Sequence, residues 1–166
     1  MNDNPSAPGR SWWTLIGAVS AAIAVGTGAY AAHGLPELLQ NLYGDTMKEW
    51  HGEEILAWKK YLADFKTAAE YQMYHALGLI ALGSLRSVRC RKSTQVAGWS
   101  LLLGTIMFSG SLYVLALTHW IWLGMIVTPI GGVLFIVGWV AFAFAVCPCS
   151  SKSCPTDTTD AAESGM

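Results

Sequence analysis

The stretch Glu70-Tyr71-Gln72-Met73-Tyr74-His75-Ala76-Leu77-Gly78 puts a carboxylate, an amide, two phenols and an imidazole directly before an apolar run. Carboxylates and imidazoles are the groups that move protons near neutral pH or hold a metal ion. Tyr71 precedes His75 by four residues, so the two share a helix face. Glu70 and His75 are five apart, about 140° around a helix, so a joint site needs groups from other segments. Each also has a plain structural account. Glu70 follows Thr67 by three, the spacing of a capping box at a helix start, where a carboxylate suits the helix dipole. His75 can serve as a neutral imidazole hydrogen-bonded to Ser or Tyr of a neighbouring helix.

Further along, Ser109-Gly110-Ser111 reads as a close-packing patch whose hydroxyls bond back to their own helix or across to a neighbour. Thr128-Pro129 followed by Gly131-Gly132 should kink a helix and free carbonyls that neighbours must satisfy. His33, His75 and His119 could in principle ligate haem or a transition ion, but nothing fixes their mutual spacing. Cys147, Cys149 and Cys154 lack a second pair at zinc-site spacing and, like Cys90 among its arginines, read as free thiols. The chain contains no phosphate-binding Walker loop, no nucleophile elbow and no H-E-x-x-H. The residues therefore lean away from an enzyme, and the main reading takes no cofactor.

The elements that must position these groups are membrane helices. Of 166 residues, 53% are hydrophobic and only 13% charged, with mean hydropathy +0.39, where soluble domains carry about 25% charged residues. A net charge of −1 without a basic cluster argues against nucleic acid as a partner. Spans need about 20 mostly apolar residues, and four stretches qualify, at about 12–32, 67–85, 96–118 and 121–146. Arg10, the first apolar stretch and Ala29-Tyr30-Ala31 also imitate a cleaved secretory signal. That stretch is long for a signal, however, and carries Ser20, Ala24, Gly28 and Ala32 at four-residue spacing, a small-residue stripe suited to close helix packing.

Arg86, Arg89, Arg91 and Lys92 mark the loop after the second span as cytoplasmic, which puts Arg10, Lys152 and both termini on the same side of the cell (inner) membrane. His33, Glu70, Tyr71, His75, Ser109, Ser111, Thr128 and Pro129 then gather in the outer half as the candidate functional cluster. The outer connection, 34–66, should carry an amphipathic interfacial helix over Glu53 to Phe65, with Ile55, Trp58, Leu62 and Phe65 on one side. The ends, 1–11 and the Cys-containing 147–166, read as disordered tails. The fold class is all-α integral membrane: a four-transmembrane-helix bundle, 12–146, with that interfacial helix between spans one and two.

Four motifs carry a resemblance: Gly28–Leu35 "GAYAAHGL", Thr67–Gly83 "TAAEYQMYHALGLIALG", Phe108–Leu117 "FSGSLYVLAL" and Thr128–Trp139 "TPIGGVLFIVGW". In order and over about residues 17–146, they resemble the small membrane proteins grouped as domain of unknown function 423. That group includes bacterial YgdD- and YwdK-like inner-membrane proteins and the eukaryotic transmembrane protein 256. The resemblance implies a multi-pass protein with an uncleaved first span but supplies no activity. It carries over Gly28, His33, Gly34, Glu70, Tyr71, His75, Ser109, Gly110, Ser111, Pro129, Gly131 and Gly132. The stretch "GDTMKEWHGEEILAW" and the Cys-containing tail depart from the family pattern. Three functions follow as expectations. One is a structural or assembly protein of the lipid bilayer, partnered by itself or another membrane protein. The others are a small proton- or solute-coupled transporter using Glu70 and His75, and a haem, metal or quinone site at His75.

Overall fold

A computed structural model describes residues 12–85 and 91–147. Apart from Cys147, the expected tails, 1–11 and 147–166, lie outside these, as do the arginine-bearing positions 86–90. Four long helices follow one another: α1 (Trp12–His33), α3 (Ala57–Ser84), α4 (Arg91–Thr118) and α5 (Thr128–Val146). Helix α2 (Leu35–Tyr43) and a two-stranded hairpin, β1 (Met47–Trp50) with β2 (Glu53–Leu56), fill the connection between α1 and α3. α1 packs on α3, α3 on α4, and α4 on α5. Among the described residues three helical stretches are long and apolar enough to cross a membrane: Trp12–His33, Lys92–Thr118 and Leu123–Val146.

α3 differs from the expected second span at its start. It begins ten residues earlier than Thr67 and runs 28 residues without a break, because no Gly or Pro interrupts the chain between Ala57 and Gly78. Thr67 is thus mid-helix, and the expected Thr67–Glu70 capping box does not exist. For the same reason the expected interfacial helix over 53–65 is not a separate element. Residues 53–56 are strand β2, and 57–65 are the first turns of α3. The amphipathic helix of the connection is α2 instead, with Leu35, Leu39 and Tyr43 turned inward at four-residue spacing.

The hairpin pairs Trp50 with Glu53, leaving His51-Gly52 as a two-residue loop with φ of 55° and 83°. Positive φ at both positions matches the twist of a type I′ turn. Two packing clusters stack along the helices. One, at the hairpin end, joins Ala31, Leu35, Leu39, Ala57, Tyr61, Phe65, Ala68 and Leu112. The other joins Trp13, Leu79, Leu82, Ala97, Leu101 and Phe135.

The small-residue stripe of α1 follows a different line from the one expected. Its buried residues are Trp13, Gly17, Ala24 and Ala31, whereas Ala32 is exposed. Four residues turn about 400° on a helix, so a strict four-residue stripe drifts about 40° per step and leaves the contact face. Glycines sort in the same way. A Cβ at Gly131 would stand 2.6 Å from the Phe108 nitrogen, and one at Gly17 2.7 Å from the Ala76 carbonyl. At Gly28, Gly110 and Gly132, three of the glycines expected at contacts, it would meet nothing within 4 Å.

Candidate functional site

A polar network that crosses three helices lies around Gln72, which is 6% exposed. Gln72 Nε2 donates to the Ser20 carbonyl on α1 at 3.0 Å, and Tyr113 Oη on α4 donates to Gln72 Oε1 at 2.9 Å. Tyr113 Oη also lies 3.0 Å from Thr27 Oγ1, whose own bonds run back to the Ile23 and Ala24 carbonyls. Helical periodicity explains the placement. Gln72 stands on the buried stripe of α3 with Phe65, Ala68, Ala76 and Leu79, so its amide points at the partners that satisfy it.

His75 is one turn farther along the same helix and 5% exposed. Its Nδ1 lies 2.6 Å from the Tyr71 carbonyl; a carbonyl only accepts, so Nδ1 carries the proton. The imidazole lies flat on the Phe135 ring of α5, with centroids 3.3 Å apart and planes 6° from parallel. Tyr71 stacks on Phe108 of α4 at 4.7 Å. Tyr71, His75, Phe108 and Phe135 thus form an aromatic joint between α3, α4 and α5. His75 makes its hydrogen bond within its own helix, not to a neighbouring Ser or Tyr as expected.

At the start of α5, Ser111 Oγ lies 2.7 Å from Thr128 Oγ1. Thr128 Oγ1 donates to the Leu123 carbonyl at 3.2 Å, and its backbone nitrogen bonds the same carbonyl. Residues Leu123–Val127 form a π-helical turn, so the break in the fourth apolar segment precedes Pro129. Pro129 sits in the first turn of α5, where its missing N–H costs little. Ser111 bonds back to the Phe108 carbonyl. Ser109, by contrast, is 1% exposed and its hydroxyl has no hydrogen-bond partner.

The remaining residues singled out in the sequence stand apart. Glu70 and Pro129 are exposed, and His33 is exposed at the end of α1. His119 (φ 61°) lies in an aromatic cap with Tyr43 and Tyr61, its Nδ1 3.1 Å from Tyr61 Oη. Lys48 from β1 donates to the same phenol at 3.0 Å. Tyr43 stacks on Tyr61 at 4.6 Å and donates to the Ala116 carbonyl at 3.0 Å. Burial, with Tyr61 adding to it, pushes the Tyr43 phenol above its ordinary 10.0. Among the described residues no three His, Cys, Asp or Glu side chains come together as a metal site.

The sequence model of the family described as "Protein of unknown function (DUF423)" matches residues 27–132. The chain belongs to the DUF423 family. The matched segment holds Thr27, Gln72 and Tyr113 of the network and both Ser111 and Thr128. The chain is similar to a UPF0382 membrane protein of Staphylococcus epidermidis, 44% identical over 131 residues, 79% of this chain and 91% of that protein. It is likewise similar to the UPF0382 membrane protein YwdK of Bacillus subtilis, 38% identical over 132 residues, 79% and 92% of the two chains. A UPF0382 membrane protein of Haemophilus influenzae is 35% identical over 138 residues, 81% and 92% of the two chains. No solved structure matches. This DUF423 member is a membrane protein of an uncharacterised family.

Gln72 is buried at the centre of the network, yet its type does not mark it in the sequence, because an amide suggests no chemistry. Its position on the 65–68–72–76–79 stripe was the available signal.

Proposed function

We propose that this protein is a four-span inner-membrane protein, both termini cytoplasmic, with a structural or assembly role and no reaction to catalyse. The observation that carries the reading is how its intramembrane polar groups are used. Gln72, Tyr113, Thr27 and Ser20 are joined across α1, α3 and α4, and Ser111 is joined to Thr128. Such bonds replace water for groups held in hydrocarbon and fix helix register. The two groups a proton path would use do not face each other. Glu70 points outward, while His75 is covered by Phe135.

The fourth span in this reading is 67–85 within α3, supported by its side-by-side packing with α1 and α4. The orientation rests on the basic residues around 86–92. Proton flux into liposomes, measured for the unmodified chain and for Glu70→Gln and His75→Ala, is the test. The structural reading expects no flux above empty vesicles from any of the three. Flux that only the unmodified chain supports would overturn it in favour of a transporter.

A further inference from the structure

A groove of about 720 Å³ opens beside the turn between α4 and the Leu123–Val146 stretch, with His119, Trp120, Trp122, Leu123, Ile126 and Val127 in its walls. That volume falls within the ~300–1,000 Å³ of small-molecule sites. Leu123, Ile126 and Val127 stand on the π-helical turn, whose i→i+5 spacing moves side chains off their regular α-helical positions. Trp120 and Trp122 are 66% and 75% exposed, too open to serve the packing of this chain. The stretches on both sides of the turn are long and apolar enough to cross a membrane. The turn and its indoles therefore lie at a membrane boundary, the depth that Trp favours, whether or not α3 also crosses.

One end of the groove is polar. His119 Nδ1 lies 3.1 Å from Tyr61 Oη, and Lys48 Nζ donates to the same oxygen at 3.0 Å. Two ammonium groups stand on the Tyr61 ring, Lys48 at 4.7 Å and Lys60 at 5.9 Å from its centroid. Asp64 neutralises Lys60 in the one ion pair among the described residues, so Lys48 is left without a carboxylate. Strand alternation turns Glu49 and Glu54 to the other face of the hairpin from Lys48. Glu53 shares the face of Lys48 but sits opposite Trp50 at the hairpin tip. The groove thus leads from an uncompensated cation and an imidazole, past two indoles, to aliphatic side chains of the apolar stretch.

We propose that this groove holds one anionic phospholipid, its phosphate at Lys48 and His119 and an acyl chain along Leu123, Ile126 and Val127. The order of groups along the groove selects the occupant, because it repeats the order of headgroup, interface and chain in the lipid. A free phosphate ion would leave the aliphatic length uncovered, and a zwitterionic lipid would bring a second cation toward Lys48. When Tyr61 donates to Nδ1, the other ring nitrogen of His119 carries the proton and can donate to a phosphate oxygen.

The test places the full chain in phosphatidylcholine vesicles that contain a small fraction of lipid with brominated chains, and reads quenching of Trp fluorescence. Brominated phosphatidylglycerol should occupy the groove about fivefold more than brominated phosphatidylcholine at equal fraction. Lys48→Gln brings that ratio close to one, Lys48→Arg keeps it, and Lys59→Gln, a lysine of the same region placed over Trp58, leaves it unchanged. W120F/W122F retains Lys48 but removes the two indoles at the groove, so the headgroup-dependent part of the quenching disappears. Excess inorganic phosphate leaves the ratio as it was. A preference that survives Lys48→Gln or W120F/W122F, or that Lys59→Gln lowers equally, would show diffuse surface charge and overturn the site. Loss of the preference to inorganic phosphate would overturn the lipid as its occupant.

Discussion

The buried amide of Gln72 gives the sharpest prediction. Gln72→Met keeps the length and most of the volume of the side chain but removes one donor and one acceptor across helices. Interhelical hydrogen bonds in membrane proteins average about 0.6 kcal/mol and reach about 1.7. Two of them place the loss at about 1–2 kcal/mol. Tyr113→Phe removes the same bond to Gln72 from the other side, together with the contact to Thr27. The double variant should therefore cost less than the sum of the single ones, with a coupling of about 0.5–1.5 kcal/mol. Unfolding in mixed detergent–dodecyl sulfate micelles, followed by the fluorescence of the eight Trp, measures all four corners of the cycle. A coupling below about 0.3 kcal/mol in chains that retain their fold would show that the amide and the phenol act independently. The network account of the helix register would then fail.

Gly131→Ala should destabilise by about 1–3 kcal/mol, because its Cβ meets backbone atoms of Phe108 that cannot move aside. Gly132→Ala, in open space, should be neutral or gain up to about 1 kcal/mol; thermal unfolding of the pair checks both. Thr128→Val removes the Ser111 contact and the hydroxyl bond to Leu123 and should cost about 0.5–1.5 kcal/mol in the same assay. The phenol of Tyr43, raised above 10.0, keeps its stabilising neutral form below pH 10, and that contribution is lost as pH rises through the folded-state value. Protection of the hairpin amides, taken relative to their intrinsic base-catalysed exchange at each pH, should hold steady to pH 10 and fall above it, and Tyr43→Phe should lessen the fall.

The three strongly apolar stretches were legible because hydropathy sums over about 20 residues and tolerates local error. The start of α3 was not. Hydropathy reports the charges of Lys59, Lys60 and Lys66 but says nothing about whether the backbone stops at them, and only a Gly, Pro or cap would have stopped it. Strands β1 and β2 were hidden because Lys48, Glu49, Glu53 and Glu54 break any apolar alternation. His51 also supplies a positive φ that Asn or Gly ordinarily announces. At the site, Ser111 and Thr128 fell at one depth by counting residues, and the structure brings them together. Gln72, Thr27 and Tyr113 meet from segments 41 and 86 residues apart, a convergence that no local pattern encodes.

On the four-span reading proposed above, helix α3 has a mechanical consequence. Its 28 residues make a rod about 42 Å long, against a hydrocarbon core of roughly 30 Å. Leu82 packs level with Trp13 at the beginning of α1, so the surplus of about 12 Å stands at the other end, beneath the hairpin and the Tyr43–Tyr61–His119 layer. That layer is mounted on a stiff post, not hung from slack loops. In a thicker membrane the post cannot lengthen; it can only straighten. Each ångström of added thickness then draws the layer toward the headgroups, which makes its height above the surface a gauge of the bilayer beneath it.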